Sequence, residues 1–179
     1  MKQTKLLLPL SLFVLISLSA SSQGNPDNHP SPLAVETMRY KDAYVKITYS
    51  QPDKRGREIF GDLIPYGKVW RTGANEATEI TTTKNITLRG FLLKAGTYSI
   101  FTIPNKDKWT IIINNELGLI GSYNYNSKLD YLRFDVAPQS IPNEVYEKFR
   151  IQFIQRNESA DLLLLWDKVK VVVPVKFLN

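Results

Sequence analysis

The chain has 179 residues, with 23 Lys+Arg, 17 Asp+Glu, one His and no Cys. The lack of cysteine excludes disulfide scaffolds, thiolate zinc sites and cysteine nucleophiles. At 43% hydrophobic and 22% charged residues, a domain of this length buries roughly two-thirds of its unfolded surface and needs neither metal nor disulfide to hold a core.

Lys2 and Lys5 precede an apolar run from Leu6 to Leu18, interrupted by Pro9, Ser11 and Ser17 and followed by Ser19-Ala20-Ser21-Ser22. A basic start, a short apolar run and small residues are the order of a secretory signal peptide, expected here over residues 1–22. The run falls well short of the roughly 20 residues that cross a bilayer. Cleavage is expected before Gln23, with Ala20 and Ser22 as the small residues ahead of the bond. No cysteine stands there for a lipid anchor. The chain is therefore expected to be exported, to the periplasm or beyond, without stable membrane insertion after cleavage.

Loss of Lys2 and Lys5 leaves 21 basic against 17 acidic residues, a net charge of +4. This mild excess is spread along the chain without a basic stripe or motif, so no nucleic-acid partner is expected. Residues 23–32 (QGNPDNHPSP) are too poor in apolar side chains to pack and read as a disordered lead-in. The one histidine, His29, lies inside it and is assigned no role.

From Leu33 onward, through residues 33–179, the chain reads as one all-β domain. Val45, Ile47 and Tyr49 alternate with Tyr44, Lys46 and Thr48. Leu132, Phe134 and Val136 alternate with Arg133 and Asp135, and Phe149, Ile151 and Phe153 with Lys148, Arg150 and Gln152. Period two with one polar face is the pattern of a half-buried strand. Turn chemistry at Arg89-Gly90, Lys94-Ala95-Gly96, Pro104-Asn105-Lys106-Asp107, Asn114-Asn115 and Arg156-Asn157-Glu158-Ser159 implies antiparallel hairpins. Thr97–Ile103 and Trp109–Ile113 make the clearest one. Leu162–Leu165 is apolar on both faces, as a central strand of a packed sheet would be, and Ile141–Lys148 reads as a short helical turn. An antiparallel β-sandwich of about nine to eleven strands fits best, with a β-barrel as the alternative.

Residues 51–78 (QPDKRGREIFGDLIPYGKVWRTGANEAT) break the alternation. A loop of this length in a compact domain is either functional or packed on itself. Arg57 and Arg71 offer planar forks for carboxylates, phosphates or hydroxyls, Trp70 a flat face for a sugar ring or cation, and Asn75 and Glu76 further polar contacts. Gly61, Gly67 and Gly73 permit tight turns and close approach. Arg57, Trp70, Arg71, Asn75 and Glu76 are thus the candidate ligand-binding residues. In the competing reading Arg57 or Arg71 pairs with Glu76 or Asp62, Trp70 fills the core, and the loop is a structural plug.

No Gly-x-Ser-x-Gly and no Gly-Lys-Ser/Thr occurs, so neither a nucleophile elbow nor a phosphate-binding glycine loop is present. No catalytic residue is assigned, and no metal site or cofactor is expected from the scattered acids. Glu76 with Glu79 or Asp62 would supply the two carboxylates of a hydrolase if they faced one cleft. The tyrosines of 122–131 (SYNYNSKLDY) are suited either to stacking on carbohydrate or to the outer face of an ordinary strand.

The strings GREIFGDLIPYGKVWRTGANEATEI, KAGTYSIFTIP, KWTIIIN and LLLLWDKVKVVVPV resemble the family known as domain of unknown function 2911, found in secreted bacterial proteins. The resemblance runs from about Ser31 to Val175, and its most specific part is residues 66–78. It implies an exported single-domain protein and brings no activity with it. Where this chain has Ile120-Gly121 the family tends to show Trp-Gly, so an aromatic platform there is missing or altered. Three functions stay open: a binding module for a small polar or carbohydrate-like ligand, a structural interaction domain of the envelope, and a hydrolase using Glu76. Oligomeric state is not legible.

Overall fold

The computed structural model describes residues 31–178. The expected signal peptide and most of the lead-in, His29 included, lie outside them. Ser31 and Pro32, the last residues of that lead-in, are seated against the sheet: the Pro32 carbonyl accepts from the Gln51 amide at 2.9 Å, and the Ser31 carbonyl from the Asn75 side chain at 3.1 Å.

Twelve strands are present among the described residues. The first sheet holds β1 (Leu33–Tyr40), β2 (Ala43–Ser50), β3 (Ala74–Thr82), β6 (Gly96–Ile103), β7 (Trp109–Asn114) and β8 (Asp130–Val136), in that spatial order. The second runs β10 (Tyr146–Arg156), β11 (Ser159–Asp167), β12 (Val169–Phe177), β4 (Ile86–Leu88) and β5 (Phe91–Leu93), with the two-residue β9 (Gln139–Ser140) also on β12. Every strand pair is antiparallel, and the two sheets do not close on each other, so the fold is a β-sandwich and not a barrel. Twelve exceeds the expected nine to eleven because short pieces such as β9 carry too few residues to show alternation.

The alternating residues bury the faces their pattern requires. Val45, Ile47, Tyr49, Phe134, Val136, Phe149 and Ile151 lie in the main core, while Lys148, Arg150, Gln152, Arg133 and Asp135 face solvent. Strand β11 is central in its sheet and puts Ala160, Leu162, Leu164 and Trp166 into that core. Leu165, on its other face, is also buried. Two-residue turns close β4 to β5 at Arg89-Gly90, both with positive φ (51° and 88°), as the twist of a tight hairpin demands. Of the helical turn expected over 141–148 only one hydrogen-bonded turn forms, the Glu144 amide donating to the Ile141 carbonyl at 3.0 Å; the chain then enters β10, where Arg150 to Arg156 pair continuously with β11 after an irregularity between Tyr146 and Arg150. Among the described residues the one helical turn is Ser127–Leu129, capped by the Asn126 side chain accepting from the Lys128 amide at 3.0 Å.

Leu164 is 3% exposed within the core. Leu164→Ala is expected to cost about 2–5 kcal/mol, as a large-to-small core change does. Chemical denaturation reads this, and a loss below about 0.5 kcal/mol would mean that the site had collapsed without a cavity.

Candidate functional site

Segment 51–73 is not an open loop. It drives Ile59, Phe60 and Trp70 between the sheets, where Phe60 and Trp70 join Trp109, Phe149 and Trp166. The Phe60 ring lies 4.8 Å from Trp109 at 66°, Trp70 lies 5.1 Å from Phe149 at 65°, and Trp70 stacks on Trp166 at 5.7 Å. Such edge-on and offset contacts are the favoured geometries for aromatic pairs. Trp70 is 4% exposed and donates its indole N–H to the Gly73 carbonyl at 2.9 Å. It is a core residue, so the flat face expected for a ligand is already used.

The segment reaches the core by displacing part of a strand. Residues 78–82 of β3 pair with β6, but before Thr78 the strand leaves that neighbour. Trp70 takes the vacated place, exchanging amide and carbonyl bonds with Thr102 at 2.7 and 2.9 Å. On its other side β3 also parts from β2: Thr48 opposes Glu79 and Ser50 opposes Ala74, so the four residues 75–78 face Tyr49 alone. This wide bulge swings Asn75–Ala77 onto the loop after β7. There the Ala77 amide donates to the Leu119 carbonyl at 2.8 Å and the Gly121 amide to the Asn75 carbonyl at 2.9 Å. Gly73 is needed where the strands close again, since a Cβ there would sit 3.0 Å from the Ser50 carbonyl oxygen and 3.2 Å from Thr78 Oγ1.

Two adjoining hollows result, sharing Ser31 and Asn75. The larger, about 560 Å³, is lined by Thr48, Tyr49, Ser50, Glu76, Glu79 and Leu33 among others. Glu79 Oε1 accepts from the Gly118 amide at 3.0 Å, which ties the loop to the strand. The smaller, about 380 Å³, is bordered by Asp53, Arg55, Arg57 and Arg71, with Trp70 and Trp166 also on its wall. Asn75 divides them, its amide donating to the Ser31 carbonyl and to Ser50 Oγ at 3.1 and 3.3 Å.

The five residues expected at a site therefore separate. Arg71, Asn75 and Glu76 stand around the two hollows, Arg57 borders the smaller one, and Trp70 lies beneath it. The expected Arg57 or Arg71 pairing with Glu76 or Asp62 does not form among the described residues. Arg57 instead donates Nε to the Lys54 carbonyl at 2.9 Å and Nη2 to the Asp53 carbonyl at 2.6 Å, holding its own turn together. Glu76 is exposed, with its backbone bridged to Ile120. Arg71 is half-buried, and its Nε is fully buried without a hydrogen-bond partner. Burial holds its guanidinium below the usual value, while the Tyr123 hydroxyl and the Glu76 carboxylate act in the opposite sense. A buried donor left unpaired costs about 1–3 kcal/mol, and native structures keep few of them.

Sequence reasoning passed over Thr48, Ser50 and Gly118, whose meeting depends on the bulge and carries no local signal. Of the tyrosines over 122–131, Tyr123 is 91% exposed and lies close enough to Arg71 to act on it. Its ring covers Gly121, where a Cβ would approach to 2.9 Å. Tyr125 packs on Phe101 and donates to both Asp130 carboxylate oxygens at 2.9 and 2.8 Å. Arg133 donates to the same carboxylate and to the Tyr125 hydroxyl. Asn114 completes the network with 2.8 Å to Asp130 and 3.0 Å to the Asn126 carbonyl, which anchors the loop that walls the larger hollow. Residues 122–129 are thus a pinned loop with a helical turn, and only Asp130 and Tyr131 of the stretch belong to a strand, β8. Among the described residues no helix is long and apolar enough to cross a membrane, and no group of three or more His, Cys, Asp or Glu is placed to hold a metal ion.

Residues 31–175 match the family described as "Protein of unknown function (DUF2911)", and the chain belongs to that family. No curated protein and no solved structure is significantly similar to it. The match spans both sheets, the inserted segment and both hollows, so the bulge and the aromatic insertion lie inside the family's domain.

The roles of Trp70 and Glu76 give opposite expectations for stability. Trp70→Ala is expected to cost about 3–5 kcal/mol, as loss of a buried aromatic does. Glu76→Gln, in an exposed carboxylate with no ion pair among the described residues, should change stability by under about 1 kcal/mol. Urea unfolding of the two variants beside wild type measures both, and a large loss in Glu76→Gln would restore the buried-pair reading.

Proposed function

We propose that this protein is an exported binding module for a small polar or carbohydrate-like ligand, seated in the larger hollow between β2, β3 and the loop after β7. Export rests on the Lys2/Lys5 start and the Leu6–Leu18 run. The observation that carries binding is the bulge itself. Four residues of β3 leave the ladder opposite Tyr49 and open a space of about 560 Å³. That is within the range of about 300–1,000 Å³ typical of small-molecule sites. Bulges of this kind re-aim side chains beside binding sites. Here the wall offers the hydroxyls of Thr48 and Ser50 and the carboxylates of Glu76 and Glu79, with Leu33 as an apolar edge. Carboxylates are pure acceptors and hydroxyls both donate and accept, which is the complement of a polyhydroxylated ligand.

A hydrolase is the second reading, because Glu76 and Glu79 line one hollow. Two carboxylates facing one substrate are what glycoside hydrolysis requires. The third, a structural envelope domain, draws on the inserted Ile59, Phe60 and Trp70, which make residues 51–73 a self-packed element.

A thermal-shift screen against envelope sugars, amino acids and sugar acids, followed by calorimetry on the hits, separates the three. Binding without turnover, weakened at least tenfold in Glu79→Gln while the melting temperature of the free protein is kept, is the expected outcome. Release of a product would favour the hydrolase. Failure of every neutral or zwitterionic compound to bind would favour the structural domain and overturn the proposal.

A further inference from the structure

The mouth of the larger hollow carries an apolar rim. Leu33 and Val35 stand on the outer face of β1, and Leu117, Ile120 and Tyr123 on the loop after β7. All five are between 46% and 91% exposed. Each is tied to the hollow by its position. Leu33 is itself in the wall, Val35 lies opposite the wall residue Thr48, and Leu117 precedes the wall residue Gly118. Ile120 is bridged to Glu76, and the Tyr123 ring covers Gly121, whose amide donates to the Asn75 carbonyl. Exposed apolar residues scattered singly are ordinary, but five around one concavity mark an interaction site.

The floor has the opposite character. Thr48 and Glu79 oppose each other across β2 and β3 and point away from the core, because their neighbours Ile47 and Ile80 point into it. Glu79 gives Oε1 to the Gly118 amide, which leaves Oε2 without a partner among the described residues. Glu76 is exposed, and among the described residues neither Lys nor Arg lines this hollow. Two carboxylates without a cation accept from hydroxyls and repel an anionic group. The chain ahead of Ser31 does not match the rim, since residues 23–30 (QGNPDNHP) contain no Leu, Ile, Val, Met or aromatic residue.

We infer that the ligand of the larger hollow is a non-anionic amphiphile: a hydroxylated head group meets Thr48, Glu76 and Glu79, and an aliphatic chain lies along Leu33, Val35, Leu117 and Ile120. The head group rests on the function proposed above, and the chain and the exclusion of anions are what the rim and floor add to it. A free sugar leaves the rim in water. A fatty acid or other anionic amphiphile covers the rim but brings its charge against two carboxylates. Only a ligand with an uncharged or cationic head and an apolar tail satisfies both surfaces, and each methylene removed from water on the rim favours binding.

Hexyl β-glucoside, methyl β-glucoside and sodium hexyl sulfate are titrated separately into the full exported protein, each below its micellar concentration and at constant ionic strength. Calorimetry gives the affinities, and NMR follows the methyl groups of Leu33, Val35, Leu117 and Ile120. Hexyl glucoside is expected to move those methyls saturably and to bind at least about tenfold more tightly than either other probe. Ile120→Ser, at an exposed position, should remove most of the advantage of hexyl over methyl glucoside and keep the melting temperature. Equal binding of the two glucosides would overturn the inference and leave the proposed function standing. Hexyl sulfate binding as tightly as hexyl glucoside would overturn it as well, since the rim would then select no head group. Silence of both glucosides would overturn the amphiphile, and the proposed function with it only where the sugar screen is silent too. Sedimentation of the free protein as a dimer that Ile120→Ser dissociates would give the rim to a second copy of this chain and overturn the inference. The wild-type titrations decide the matter even if the variant folds poorly.

Discussion

Insertion of Phe60 and Trp70 between the two sheets is the contact on which the remaining structure rests. Five aromatic side chains, Phe60, Trp70, Trp109, Phe149 and Trp166, meet there from the inserted segment and from both sheets. Aromatic residues bury about 150–250 Å² each, so such a cluster dominates the energetics of a core. Tyr49 supports it from β2: its ring meets Phe149 edge-on at 5.8 Å, and its hydroxyl takes the Ile151 amide at 3.0 Å across the sheets. Burial pushes that hydroxyl's pKa up, as it does for a phenol withdrawn from water. With Trp70 occupying the edge of β6 at Thr102, β3 has no partner there beyond Thr78. The bulge, the shared ridge at Asn75 and the two hollows follow from that one displacement.

The same insertion explains how an arginine comes to be half-buried with a free donor. Arg71 follows directly on a locked tryptophan, and its carbonyl is held by the Thr78 amide, so the root of the side chain is fixed beside the hollows. A stable core has thus placed a charge where solvation is poor and where no protein carboxylate pairs with it among the described residues. Strain or incomplete satisfaction kept in place by over-determined surroundings is a common property of binding sites. Here it coincides with a concave wall, which is why the charge and the hollow are best understood together.

Much of the fold was legible because alternation is a direct consequence of the strand's two-residue period. Val45, Ile47 and Tyr49, and Phe149 and Ile151, were assigned inward from sequence and lie inward. Leu162–Leu165 was read as a central strand from its two apolar faces, and β11 is central. The turn at Lys41-Asp42 went unread, because it carries no glycine although Lys41 adopts positive φ. The site was legible only as a region. Residues 51–78 were marked by composition, but whether Trp70 faces ligand or core depends on Trp109, Phe149 and Trp166, which are distant in sequence. Glu76 has two readings in the sequence, a ligand contact or half of a buried pair, and the pair is suggested by an arginine and an acid in one loop. The bulge, set by long-range pairing to Leu119 and Gly121, turns it outward instead.

The central claim is that Ile59, Phe60 and Trp70 anchor residues 59–71 in the core, so that the segment unfolds only with it. Native-state hydrogen exchange tests this directly, through the amide of Ile64, bonded to the Ile59 carbonyl at 2.8 Å, and that of Trp70, bonded to Thr102 at 2.7 Å. The account predicts that both exchange only by global unfolding, with the same free energy and denaturant dependence as the amides of the β6–β7 ladder. Exchange of these two amides through a local opening, at a free energy well below the global value and insensitive to denaturant, would contradict it.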